Sequence, residues 1–230
     1  TKEVSNVLSA QRALTFLFRV EFGLLYKLRY PIRRRGELHS TRHLEVCTTR
    51  PETILGDTAL AIHPEDTRYS VYHQDWEAVN PLTGVIMSIV CDSAVDREFG
   101  TGVVKITPAH DHVDYQLSQR HNLRVISIFN TTGHVIDTNT PYDGLDRYEA
   151  RARIVKELQS RDLLVSTTSH PMRLARCSRS RDVLEPLLQP QWYVRTTPLA
   201  RIAKHLSHTN QLRFVPEEFT DDWYRWLGTQ

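Results

Sequence analysis

Two stretches of this 230-residue chain concentrate side chains that could hold or activate a small polar molecule. The first, CTTRPETILGDTA (Cys47–Ala59), gathers Thr48, Thr49, Arg50, Glu52 and Thr53 around Pro51, between two apolar runs. Hydroxyls beside a lone arginine are directional donors, more than a mere connection between elements requires. The second, EFGTGVVKITPAHDHVDY (Glu98–Tyr115), runs from a glycine turn through a strand and a proline loop to an acidic helix start. Asp111 and Asp114 stand three apart, which puts both carboxylates on one face near a helix N-terminus, where the dipole favours negative charge. One carboxylate suffices as a cap. Two held ionised could bind an ammonium group or orient a water.

HDHVDY falls one residue short of a histidine–aspartate metal motif, because its sixth position is Tyr115. On a helix, His110 and His112 at i and i+2 point apart, and only a loop could converge them on zinc. FGTG (Phe99–Gly102) lacks the third glycine and downstream acid of a dinucleotide fingerprint, so its glycines serve tight turns. The chain carries no nucleophile elbow, phosphate loop or Cys–His pairing, which speaks against a covalent protein nucleophile.

The elements that position these groups are strand-rich. Alternating apolar residues from Leu14 to Ile32 on either side of EFG predict a hairpin, and His43–Thr49 the next strand. Pro51 suits the first turn of a short helix with Thr49 near its cap, stopped by Gly56 before a strand at Thr58–His63. Further strands are expected at Val85–Val90, Val103–Thr107 and Arg124–Phe129, and helices over DRYEARARIVKELQSRDL and TTPLARIAKHL. The fold class is therefore mixed α/β with strands dominant, divided into a core at 1–172 and linker and docking segments at 173–230, where RLARCSRSR breaks the pattern. Arg33, Arg34, Arg35 and the arginines of 173–181 could meet phosphates or simply be solvated.

Composition is that of a soluble globular protein: 40% hydrophobic, 24% charged, net charge +2. The apolar run ALTFLF is far too short to span a bilayer, so no membrane partner is expected. Three cysteines without a C-x-x-C pair give neither a disulfide framework nor a zinc knuckle, and an intracellular, reducing compartment follows.

With both stretches in view, the chain resembles the editing domain of the valyl-tRNA synthetase family of class I aminoacyl-tRNA synthetases. The resemblance is carried by TTRPETILGDTALAIHPEDTRY, FGTGVVKITPAHDHVDY, YDGLDRYEAR, EPLLQPQWYVR and RFVPEEF, and runs from about Gly23 to Leu227. It implies a β-barrel-like editing core with peripheral helices that hydrolyses mischarged threonyl-tRNA(Val), in mitochondria or the cytoplasm. The partners implied are the threonine-bearing acceptor end of tRNA(Val) and the rest of the parent synthetase. H-I-G-H and K-M-S-K-S, the family's aminoacylation signatures, do not occur. ATP and magnesium therefore go with a synthetic domain outside this sequence, and no cofactor is expected here.

Carried residue by residue, the resemblance places Thr48, Thr49, Arg50 and Thr53 against the terminal adenosine and the aminoacyl ester. It places Phe99 beside the adenosine, and Lys105, Thr107 and Asp111 around a polar side-chain pocket. Asp114 falls on the aspartate that anchors the substrate's α-ammonium. A non-catalytic acceptor-end binding module and a zinc-dependent hydrolase are the alternatives.

Overall fold

A computed structural model describes residues 22–38, 41–72 and 75–228. Strand β1 (Leu24–Arg34) alternates in burial, with Tyr26, Leu28, Tyr30 and Ile32 inward, as a period of two requires on a half-buried sheet. It pairs antiparallel with β2 (Arg42–Thr48) along one edge. Its other edge is shared: β4 (Trp76–Val79) takes Ile32–Arg34, and β7 (Leu164–Ser169) takes Leu24–Leu28. With β3 (Ala59–Ile62), β5 (Ile86–Cys91) and β6 (Val103–Ile106), the sheet runs β2-β1-β4-β5-β3-β6. The last strand returns beside the first, where Thr101 donates to the Glu45 carbonyl at 2.6 Å, so the sheet is a nearly closed barrel.

β3 is buried on both faces. Leu60 and Ile62 join the main core with Leu28, Ile54 and Ile154, while Ala59 and Ala61 face a second cluster with Ile106 and Leu117. Alanines there let helix α1 (His112–His121), which carries Leu117, lie close to the strand. Helix α2 (Arg147–Ser160) begins at Asp146, whose side chain accepts the Tyr148 N–H, and buries Ala150, Ile154 and Leu158 at helical spacing. Each such leucine or isoleucine contributes about 1.5–3 kcal/mol by leaving water.

Strands expected at 43–49, 58–63, 85–90 and 103–107 form within a residue or two of those limits. That at 124–129 does not: the Ile128 N–H is taken by the His110 imidazole at 3.0 Å, and only an isolated Phe129–Val135 bridge remains. The first arm of the expected 14–32 hairpin lies outside the described residues. Residues 51–56 form a 3-10 helix with Pro51 at its start, and Arg50 rather than Thr49 holds the cap position, without a side-chain cap bond.

The first compact unit extends through Leu188, past the boundary expected near Arg173, because Glu185 is bonded into it. The second unit begins at Gln189. It holds helices α3 (Thr197–His208) and α4 (Phe219–Gly228), joined by His208 stacked on Tyr224 at 4.6 Å, with Ala200 and Leu227 buried.

Candidate active site

The end of β2, the 3-10 helix, β6 and the start of α1 converge, and each brings part of the two motifs. Lys105 on β6 points into the barrel and is 7% exposed. Its ammonium donates to Thr53 Oγ1 at 2.7 Å, Asp57 Oδ1 at 2.8 Å and Thr107 Oγ1 at 2.6 Å, using all three protons. Thr107 also donates to Asp57 at 2.5 Å, and Tyr30 donates to the other Asp57 oxygen at 2.6 Å. Burial pushes the Asp57 carboxyl up, against the downward pull of Lys105, Thr107 and Tyr30. Thr53 donates to the Arg50 carbonyl at 2.9 Å, so its remaining capacity is as an acceptor.

Asp114 lies in the first turn of α1 and accepts the Thr107 N–H at 2.8 Å. Burial raises its pKa to about 6, although the Thr107 N–H and Lys105 pull the other way; Asp111 and Asp57 add to the rise. Asp111 stays outside the cluster. It is exposed and caps α1, accepting the N–H groups of Val113 at 2.8 Å and Asp114 at 3.1 Å. Of the two carboxylates, Asp114 is the one that reaches the end of β6, through the Thr107 backbone N–H.

Arg50 is engaged in the protein's own framework. Its guanidinium donates to Glu52 at 3.2 Å, to the His110 carbonyl at 3.1 Å, and to both oxygens of Glu185 at 2.6 and 2.5 Å. Burial alone would lower its pKa, but Glu52 and Glu185 raise it above the ordinary arginine value. Glu52 is held from behind by Arg151 on α2 through two bonds of 2.8 Å, and Glu185 by Arg147 at 2.8 Å. Glu185 is held down at about 2: burial opposes this, and His110 and Arg50 outweigh it.

The two histidines of the second motif do not share the helix, which begins at His112, and each has its own partners. His110 is buried, with Nε2 accepting from Ile128 and Nδ1 3.3 Å from Glu185, while exposed His112 meets Gln116 at 3.2 Å. Among the described residues no group of three His, Cys, Asp or Glu side chains is placed to hold a metal ion.

Thr48 is buried at the strand end and accepts the Arg50 N–H at 3.1 Å; Thr49 beside it is half-buried. Phe99 is exposed and meets the His170 ring edge-on at 5.8 Å. The following turn depends on Gly100, with φ +61°, where a Cβ would lie 2.7 Å from that of Cys47. Gly100→Ala should therefore cost about 1–3 kcal/mol from the backbone conformation, with crowding added. Gly36, φ +89° with open space around it, supplies the comparison. Urea unfolding checks this, and equal losses at the two positions would show that the Cys47 contact is relieved without cost.

Sequence reasoning did not anticipate Asp57, Tyr30, Arg147, Arg151 or Glu185. Asp57 was visible within GDTA but carried no signal of its own. Glu185 lies in EPLL, 135 positions from Arg50, and no periodicity joins the two.

Comparison with known proteins bears on this assembly. A family model described as leucyl-tRNA synthetase, editing domain, matches residues 66–159. A probable mitochondrial valine–tRNA ligase from Dictyostelium discoideum is 43% identical over 210 residues, covering 90% of this chain and 20% of that protein. The valine–tRNA ligase of Thermotoga maritima is 43% identical over 203 residues, covering 88% and 23%, and that of Homo sapiens 42% over 209 residues, covering 91% and 16%. The chain thus spans about a fifth of the length of these relatives. Sharing more than four residues in ten with them over about nine-tenths of its own length, it belongs to the aminoacyl-tRNA synthetase editing domains, of the valyl kind.

Proposed function

We propose that this chain hydrolyses the ester of mischarged threonyl-tRNA(Val), as the post-transfer editing part of a valine–tRNA ligase inside the cell, in mitochondria or the cytoplasm. The observation that carries the reading is Asp114, a carboxylate at a helix N-terminus set against the buried Lys105–Thr53–Thr107–Asp57 cluster. Ionised Asp114 binds the α-ammonium of the aminoacyl group. Thr48 and Thr49, at the end of β2, hold the terminal ribose and ester, and Phe99 packs against the adenine.

The need for such a site follows from a limit on binding. An apolar pocket shaped for valine rejects isosteric threonine only about a hundredfold, a rule for which these two amino acids at this family of enzymes are the standard illustration. A second site that rewards the hydroxyl completes the discrimination. Lys105 contributes indirectly here, since its protons are committed to Thr53, Asp57 and Thr107. The acceptor lone pairs left on Thr53 and Thr107 take the threonine hydroxyl as donor, and valine's methyl leaves them unpaired. Hydrolysis of an activated ester needs chiefly a positioned water and stabilisation of developing charge, so the proposal includes no cofactor. The 189–228 unit serves, in this reading, to return the chain to the synthetic part of the parent enzyme.

Single-turnover deacylation of threonyl- and valyl-tRNA(Val) tests the proposal. An unpaired buried polar group costs about 1–3 kcal/mol, so threonyl ester should be cleaved roughly five- to 150-fold faster than valyl ester. Equal rates would remove the selectivity for threonine, and tRNA binding without hydrolysis would leave only an acceptor-end binding module.

A further inference from the structure

Glu185 lies outside both chemical motifs and outside the segment matched by the family model, yet it touches three parts of the site at once. Its carboxylate accepts two bonds from Arg50 at 2.6 and 2.5 Å, lies 3.3 Å from His110 Nδ1, and accepts from Arg147 at 2.8 Å. Arg50 in turn donates to the His110 carbonyl at 3.1 Å. That carbonyl belongs to the residue immediately before Asp111, which caps the helix carrying Asp114. His110 has one further anchor, the Ile128 N–H on Nε2 at 3.0 Å, and its Nδ1 is the ring atom near Glu185. The hydroxyl turn and the helix N-terminus are thus tied together by a single carboxylate from the last residues of the first unit.

We infer that Glu185 is a positioning residue for the deacylation proposed above: through Arg50 and His110 it fixes the threonine-rich turn relative to Asp114. The inference rests on that reading of the reaction. Geometry within about half an ångström governs such sites, so a loosened tie should lower the rate of the bound complex more than binding itself.

Arg147 separates positioning from mere anchorage. It holds Glu185 and the Val183 carbonyl, at 2.6 Å, but bonds neither Arg50 nor His110. Arg147→Met loosens the same segment and leaves the Glu185–Arg50 pair intact. In the full chain, at a temperature where both variants are folded by circular dichroism, Glu185→Gln should lower kcat for threonyl-tRNA(Val) by roughly ten- to a hundredfold. KM should change less than about threefold, and Arg147→Met should keep kcat within about threefold of wild type. Folded Glu185→Gln with wild-type kcat, or the same kcat loss in both variants, would overturn the positioning role.

A readout without substrate keeps this separate from the reaction itself. Carboxyl carbon resonances should show the Asp114 titration midpoint displaced in Glu185→Gln and unchanged in Arg147→Met. If the wild-type chain fails to deacylate, the functional reading falls and the midpoint decides the positioning role: moved only in Glu185→Gln supports it, and any other pattern overturns it.

Discussion

Lys105→Met should destabilise the fold by about 3–5 kcal/mol at pH 8, the usual consequence of removing one member of a buried ion pair. Asp57, 2% exposed, would keep the hydroxyls of Tyr30 and Thr107 as donors and lose its one cationic partner among the described residues. The sign of the pH dependence follows from burial, which already raises this carboxyl. Without Lys105 the rise is larger, and the variant is relieved of the charge by taking up a proton as pH falls. Its deficit relative to wild type should therefore shrink between pH 8 and pH 5. Urea unfolding at the two pH values measures it. A deficit under about 1 kcal/mol at pH 8 would show that water reaches Asp57. Asp57→Leu combined with Lys105→Met should recover part of the loss, since an apolar pair replaces a buried ion pair at little net cost.

Asp114→Asn separates catalysis from stability in the opposite direction. Deacylation of threonyl-tRNA(Val) should fall about tenfold to more than a hundredfold, because the amide cannot offer a charge to the α-ammonium and a charge-assisted hydrogen bond contributes about 1.5–3 kcal/mol. Stability should rise. A carboxyl at about 6 in the folded protein and near 3.9 in the unfolded chain binds its proton more tightly when folded. Its favourable contribution is thus complete below about pH 4 and lost as pH climbs through about 6. At pH 8 the asparagine variant should be about 1–3 kcal/mol more stable than wild type, and at pH 4 equal to it. The same titration makes the wild-type rate rise as pH passes through about 6. A variant with wild-type deacylation, or one destabilised at pH 8, would remove Asp114 from the anchoring role.

That trade of stability for charge is partly legible in the sequence. The three-residue spacing of Asp111 and Asp114 placed both at a helix N-terminus, and the alternation at 43–49, 85–90 and 103–107 placed the strands that carry the motifs. What spacing could not distinguish was which carboxylate caps and which turns inward, because that depends on the Thr107 N–H across the loop. Arg50 stood out as a lone cation and invited a role against the substrate. Its glutamate partners, one two positions on and one 135 positions away, tie the guanidinium to the turn and to the end of the first unit. The strand expected at 124–129 fails for a related reason: a histidine ring, invisible to apolar periodicity, captures the Ile128 N–H.

The shared edge of β1 bears on how the protein is made. Leu24–Leu28 finds its partner on that edge in β7, Leu164–Ser169, so the pairing waits until well over a hundred further residues have been translated. At roughly 5–20 residues per second, that is a delay on the order of ten seconds during which the strand's amides and carbonyls are open to another chain. Nascent chains stalled or truncated before Leu164 should accordingly be the form most prone to aggregate and the one most dependent on chaperones. Extending the same fragment through Ser169 should suppress that tendency.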